Sequence, residues 1–247
     1  KTDGITKKLW FIHSRNRTEK IFSSRVKSVI ILARESTEAP MFVDLTQTIE
    51  TGMPTFPGTD PVQIANKFTI AKDGFAELII RMVSHTGTHI DSPRHFIGDG
   101  KSLDRYPVSF FIGQAMVLDL NHNDISVETL AARENDLDSV DFVLLRTLHS
   151  KKWGSADYFE DIPTPSIETV KRICSHKIRG IGIDAVSIDP VRSMTYENHQ
   201  NILGRGMIII ENLTNLRKLP DHPFKLIALP LKIADSDGFS ARVVAEI

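Results

Sequence analysis

Residues 85–95 constrain this chain more than any other stretch: His85-Thr86-Gly87-Thr88-His89-Ile90-Asp91-Ser92-Pro93-Arg94-His95. Three imidazoles and a carboxylate in eleven residues are ligand types that suit zinc, manganese or iron. A His-x-x-x-His spacing fits one face of a helix. Gly87, the β-branched Thr86 and Thr88, and Pro93 oppose a helix here, and the glutamate of helical zinc sites is missing. An extended chain serves better, because His85, Gly87, His89 and Asp91 share parity and a strand points them to one side. A straight strand would set His85 and His89 about 13 Å apart, near the limit for two imidazoles on one ion. The chain must therefore bend, and Gly87 is the residue that permits it while leaving the ligand face open. Pro93 then turns the chain, which separates His95 from the ligand row and frees it for proton transfer. A lone histidine is usually hydrogen-bonded scaffold. A set at shared parity around a central glycine reads as a site.

The rest of the 247 residues supplies an ordinary folded frame. A net charge of -1 provides no global field for nucleic acid. The longest apolar runs, residues 207–210 and 29–33, are far too short for a membrane span. One cysteine, Cys174, cannot form an internal disulfide, which fits a reducing, cytoplasmic setting. Residues 1–34 carry nine basic side chains against Asp3 and Glu19, without core patterning or a secretory pattern. Residues 1–40 are read as a basic extension ahead of a start at Met41; an organelle presequence and a basic arm are the alternatives. Residues 41–247 read as one domain. Strands are expected over 42–45, 115–120, 140–145, 178–183, 207–210, 224–233 and 241–247, with a hairpin of 62–70 and 76–83 about Lys72-Asp73-Gly74. Helices are expected to begin at Ser126 and at Ser166, each between strands. The fold class is α/β, with a mixed, partly barrel-like sheet and flanking helices.

The string His85 to Phe96 resembles the His-x-Gly-Thr-His-x-Asp-x-Pro-x-His signature of the cyclase-like metal-dependent hydrolases, a family that includes kynurenine formamidases and isatin hydrolases. The resemblance extends over residues 41–247: Asp44-Leu45-Thr46, Pro54-Thr55-Phe56-Pro57-Gly58, Asp184 to Asp189, His199, Glu211-Asn212-Leu213, and Asp237-Gly238 through Arg242-Val243-Val244-Ala245. It implies the swivelling β/β/α fold and a site holding one or two divalent ions per subunit, zinc or manganese. His85, His89 and Asp91 would hold the first ion. Asp91 would bridge to a second held by His199 and Glu211. His95 would be the general acid/base, and Phe56 would line the substrate pocket. Formamidases typically carry Trp where this chain has Phe56, and tend to Gly where it has Asn212. The resemblance also implies a homodimer or homotetramer acting on a small molecule.

The activity so implied is hydrolysis of a C–N amide bond, in an N-formyl arylamine such as N-formylkynurenine or a cyclic amide such as isatin. A lactone hydrolase or cyclase of the same family, and a metal-binding module without turnover, are the alternatives. Other signals fail. Gly98-Asp99-Gly100-Lys101-Ser102 lacks the first glycine of a phosphate loop, where His95 stands. Gly180-Ile181-Gly182-Ile183-Asp184-Ala185 lies inside an apolar strand instead of following one, unlike a dinucleotide fingerprint. There is no Gly-x-Ser-x-Gly elbow. Asp184 and Asp189 read as turn residues, and Trp153, Tyr158 and Phe159 as packing or pocket edge.

Overall fold

The computed structural model describes residues 40–120 and 124–247. The basic segment over 1–40 therefore lies, apart from Pro40, outside the described residues.

Short apolar runs build the frame. The strands are β1 Phe42–Asp44, β2 Gln63–Phe68, β3 Glu77–Arg81, β4 His89–Asp91, β5 Ile112–Asp119, β6 Phe142–Arg146, β7 Gly180–Ile183, β8 Ile208–Glu211, β9 Phe224–Pro230 and β10 Gly238–Glu246. Ala115, Val117, Phe142, Leu144, Ile208 and Ile210 belong to one buried cluster, while their neighbours Met116, Leu118, Val143, Leu145 and Ile209 belong to another. That two-residue period gives the sheet an apolar face on each side. Strands β5, β6, β7 and β8 pair in parallel, and β4 adds antiparallel to β8. β10 pairs antiparallel with β4 and with β9, and β9 pairs antiparallel with β5. The ring β10-β4-β8-β7-β6-β5-β9 is thus a closed seven-stranded barrel, with β1 added along β10. The sequence suggested only partial closure.

The first cluster fills the barrel. Gly180 and Gly182 are required there, because a Cβ on Gly182 would lie 2.6 Å from Leu144 Cδ2 and 2.8 Å from Leu213 Cδ1. Their dinucleotide-like spacing is thus a packing demand of the barrel interior. The second cluster is the outer face, covered by α4 and α5 as numbered here: α1 Ile70–Asp73, α2 Val127–Ala132, α3 Glu134–Leu137, α4 Ile167–Ile173 and α5 Glu197–Leu203. The caps at Ser126 and Ser166 are present, each hydroxyl accepting the N–H three residues on, from Thr129 and Thr169. The hairpin β2–β3 forms a separate two-stranded ribbon. Its link is the helical turn α1 closed by Gly74 at φ 80. No helix among the described residues is long and apolar enough to cross a membrane.

Candidate metal centre

Strand register assembles the centre on the outer face of β4 and β8. His89 sits directly opposite Glu211 and Ile90 opposite Ile210. Ile90 and Ile210 enter the barrel core, so His89, Asp91 and Glu211 turn outward together. Helix α5 lies over this face and contributes His199. All four are buried, with His89 at 3%, Asp91 at 1%, His199 at 4% and Glu211 at 5% exposure.

His85 arrives differently from the parity argument. Only His89–Asp91 is strand, and Gly87 takes the left-handed φ of 62, so the bend falls where the sequence required it. His85 reaches the cluster from the preceding turn and places Nδ1 2.6 Å from Asp91 Oδ1. A Cβ on Gly238 would collide with the His85 ring, so the glycine after Asp237 makes room for that approach. Pro93–His95 is a single 3₁₀ turn that brings His95 back to stack on His85, ring centroids 3.9 Å apart. His95 is therefore set off from the buried ligand row and still faces the same space.

Two three-residue sets share Asp91. One is His85, His89 and Asp91, and the other is Asp91, His199 and Glu211. His89 Nε2 lies 3.2 Å from Asp91 Oδ1 and 3.6 Å from Glu211 Oε2, while His199 Nε2 lies 3.6 Å from Asp91 Oδ2 and 3.4 Å from Glu211 Oε1. A third set joins His85, His95 and Asp237. Asp91 Oδ2 is buried with no hydrogen-bond partner. An orphaned carboxylate oxygen facing imidazole nitrogens lacks only positive charge, and this donor set fits a borderline or hard divalent cation.

Each imidazole is held by its outer nitrogen. His89 Nδ1 donates to Gly87 O at 2.8 Å, His199 Nδ1 to Asp189 Oδ2 at 2.7 Å, and His85 Nε2 to Asp237 Oδ2 at 3.0 Å. These bonds orient the rings and aim the remaining nitrogens inward. Glu211 Oε1 accepts the Ile188 N–H at 2.8 Å. Sequence reading gave Asp189 a turn role, and it does more. It accepts the Asn198 and His199 N–H groups at 3.1 and 2.9 Å, anchoring the start of α5 as well as the imidazole. Asp237 was not singled out as a functional residue; an Asp-Gly pair before a strand signals a turn, not a histidine partner. Asp184 is a turn residue, accepting from Thr147 and Leu148.

The charges are strongly coupled. Burial alone would push the His85 imidazole down, but Asp91 and Asp237 override it and hold it up at about 10. Burial opposes His199 too, yet the hydrogen bond with Asp189 and the nearby carboxylates of Asp91 and Glu211 raise it to about 12. Burial would raise the Asp91 carboxyl, and the surrounding histidines hold it well below the usual carboxylate range. A hydrogen bond from His85 brings Asp237 to about 2. Burial pushes His95 down; Asp91 pulls the other way, but His85 and His199 keep the net shift downward. His95 alone among these three is set to be a neutral base at neutral pH.

A cavity of about 360 Å³ opens onto the cluster, and Phe56 lines it with His85, His89, His95, His199 and Glu211. Tyr158 is buried behind it, donating its hydroxyl to Asn212 Oδ1 at 2.7 Å, with Trp153 and Phe159 packed on its ring. None of these three lines the cavity, and only Tyr158 touches its lining, through Asn212.

Comparison with known proteins places this geometry. The model of the Cyclase family, described as "Putative cyclase", matches residues 43–190. The kynurenine formamidase of Bacillus cytotoxicus is 31% identical over 209 residues, 84% of this chain and 98% of that enzyme. Isatin hydrolase A from Labrenzia aggregata superposes with a TM-score of 0.75 at 29% identity, over 84% of this chain and 94% of that one. A structure described as a potential metal-dependent hydrolase with cyclase activity matches with a TM-score of 0.70 at 28% identity, over 84% and 98%.

Proposed function

This chain belongs to the cyclase family and is a metal-dependent amidohydrolase, and from that premise we propose that it hydrolyses the C–N bond of an N-formyl arylamine or a cyclic amide. The observation that carries the reading is Asp91 at the centre of two overlapping ligand sets, buried, with an oxygen that nothing in the protein satisfies.

His85, His89 and Asp91 would hold one divalent ion, and Asp91, His199 and Glu211 would hold a second. Zinc and manganese both suit these donors. Bound there, such ions supply Lewis acidity, bringing the pKa of water to about 7 and offsetting negative charge on a carbonyl oxygen. Asp237, Asp189 and the Gly87 carbonyl keep the three ligand imidazoles in the orientation this requires. His95 takes a proton from the attacking water and returns it to the leaving nitrogen. Its lowered basicity and its open face on the cavity suit both transfers. Phe56 forms part of the wall against which an aryl group lies. The enzyme works on small molecules as a homodimer or homotetramer. Exposed Ile70, Phe75, Leu78, Ile79 and Ile80 on and around the hairpin are apolar surface of the kind that copies of one chain cover.

The test is turnover of isatin and of an N-formyl arylamine by protein stripped with a chelator and reloaded with zinc or manganese. Hydrolysis should appear only on reloading. Equal rates without metal, or no hydrolysis by loaded protein, would refute the reading.

A further inference from the structure

Away from the metal cluster, the apolar part of the cavity wall is Pro54, Phe56, Val83, Phe96, Val186 and Tyr196. Three rings and three aliphatic side chains suit a flat, apolar group. Several polar groups on these walls are engaged within the protein, and the two that are not, the hydroxyls of Thr55 and Tyr196, carry no charge. Asn212 accepts from Tyr158 through Oδ1 and donates from Nδ2 to Gly87 O at 3.0 Å. The Thr59 hydroxyl donates to Phe56 O at 2.7 Å, and Ser187 Oγ accepts the Asp189 N–H at 3.1 Å. Among the described residues no lysine or arginine lines the cavity. Arg94, the nearest in sequence, is exposed and outside the lining.

A substrate carrying an ionised amino-acid arm would bring an ammonium and a carboxylate into this space. The wall offers the carboxylate no cation. The anions available to the ammonium are the cluster's own ligands, which the metal ions occupy. Burying such charges without a countercharge is unfavourable, whereas a neutral aryl group gains from the same wall.

Resting on the amidohydrolase reading above, we infer that the substrate is an uncharged, planar aryl amide: a lactam fused to an aromatic ring, or an N-formyl arylamine whose ring bears no ionised side chain. An α-amino-acid arm is selected against.

A matched pair of substrates tests this: N-formylkynurenine and 2-formamidoacetophenone. Both present the same formanilide bond beside an aryl ketone, and the second ends in a methyl group instead of the amino-acid arm. On metal-loaded protein, kcat/KM should favour 2-formamidoacetophenone by about tenfold or more, the range expected when a charge goes unpaired in a pocket. Equal values, or preference for N-formylkynurenine, would overturn the inference while leaving the amidohydrolase reading intact. Failure to hydrolyse either member or isatin would overturn both. A second variant reads the wall directly. Val83→Lys places a cation on the half-buried rim of the cavity and should narrow the ratio. An unchanged ratio would count against this wall as the source of selectivity. Each ratio is taken on one protein sample, so partial loss of folded enzyme cancels.

Discussion

The two halves of the metal centre are built in opposite ways. Residues 85–95 deliver His85, His89, Asp91 and His95 from one short run, bent at Gly87 and again at Pro93. Glu211, His199, Asp189 and Asp237 come from β8, α5 and two loops. What aligns them is strand register and hydrogen bonds between separate segments. Exposure follows the same division in part. The side chains of His85 and His95 are 20% and 30% exposed, while those of His199, Glu211 and Asp189 lie at 4–6%. The local half keeps a working face on the cavity, and the assembled half is closed scaffolding that holds charge. Asp91 belongs to both and is the most buried member.

That division predicts a ranking of effects. Asp91→Asn should be the most damaging change, because it removes the ligand common to both sets. Metal content should fall at both positions, with activity lost to background. Retention of one full equivalent of metal would break the claim that Asp91 is shared. His95→Ala should lower kcat by about 10²–10⁴-fold, the usual scale for a general acid/base, and leave metal content unchanged. Loss of metal with it would move His95 from chemistry to ligation.

Asp237→Asn and Asp189→Asn compare the halves directly, since each carboxylate fixes one imidazole. Either change should cost about 10–100-fold in metal affinity or activity. Asp189 also anchors the backbone of α5, so its variant should lower thermal stability as well, whereas Asp237→Asn should act mainly on metal binding. Equal melting temperatures for the two variants would erase that contrast.

The smallest effect is on the stability of metal-free protein with pH. The imidazoles of His85 and His199 are raised in the folded chain from 6.5 to about 10 and about 12. Folded protein therefore holds those protons more tightly than unfolded chain. Their stabilisation is complete below pH 6.5 and drains away as pH rises through the folded values. Asp237, lowered to about 2 from 3.8, acts with the opposite sign, stabilising above 3.8 and failing as pH falls toward 2. Urea midpoints of stripped protein should decline from pH 6.5 toward 10. Reloaded protein should resist that decline, because ligating imidazoles are already unprotonated and metal affinity grows with pH. A flat profile for stripped protein would contradict the coupling.

The same division explains what could be read without coordinates. The His85–His95 run is local, so its bends follow from Gly87 and Pro93 and its ligands from residue type. The strands β5 to β8 show in their short apolar runs, and the caps of α2 and α4 in Ser126 and Ser166. Parity overreached at His85, because the left-handed turn at Gly87 takes the preceding residues out of the strand. Helix α5 has little helical signature: Glu-Asn-His-Gln-Asn-Ile-Leu contains two apolar residues, and its start is tied down by a carboxylate from another segment, Asp189. Barrel closure was also hidden, because it depends on β10 serving β4, β9 and β1 at once. Resemblance pointed to His199 and Glu211, and only register sets Glu211 opposite His89.

Metal stoichiometry tests the central claim most directly. Loaded protein at neutral pH should carry two divalent ions per chain, and a folded His199→Ala variant should keep the one held by His85, His89 and Asp91. A folded, unmodified chain that takes up no divalent ion at these residues would contradict the account.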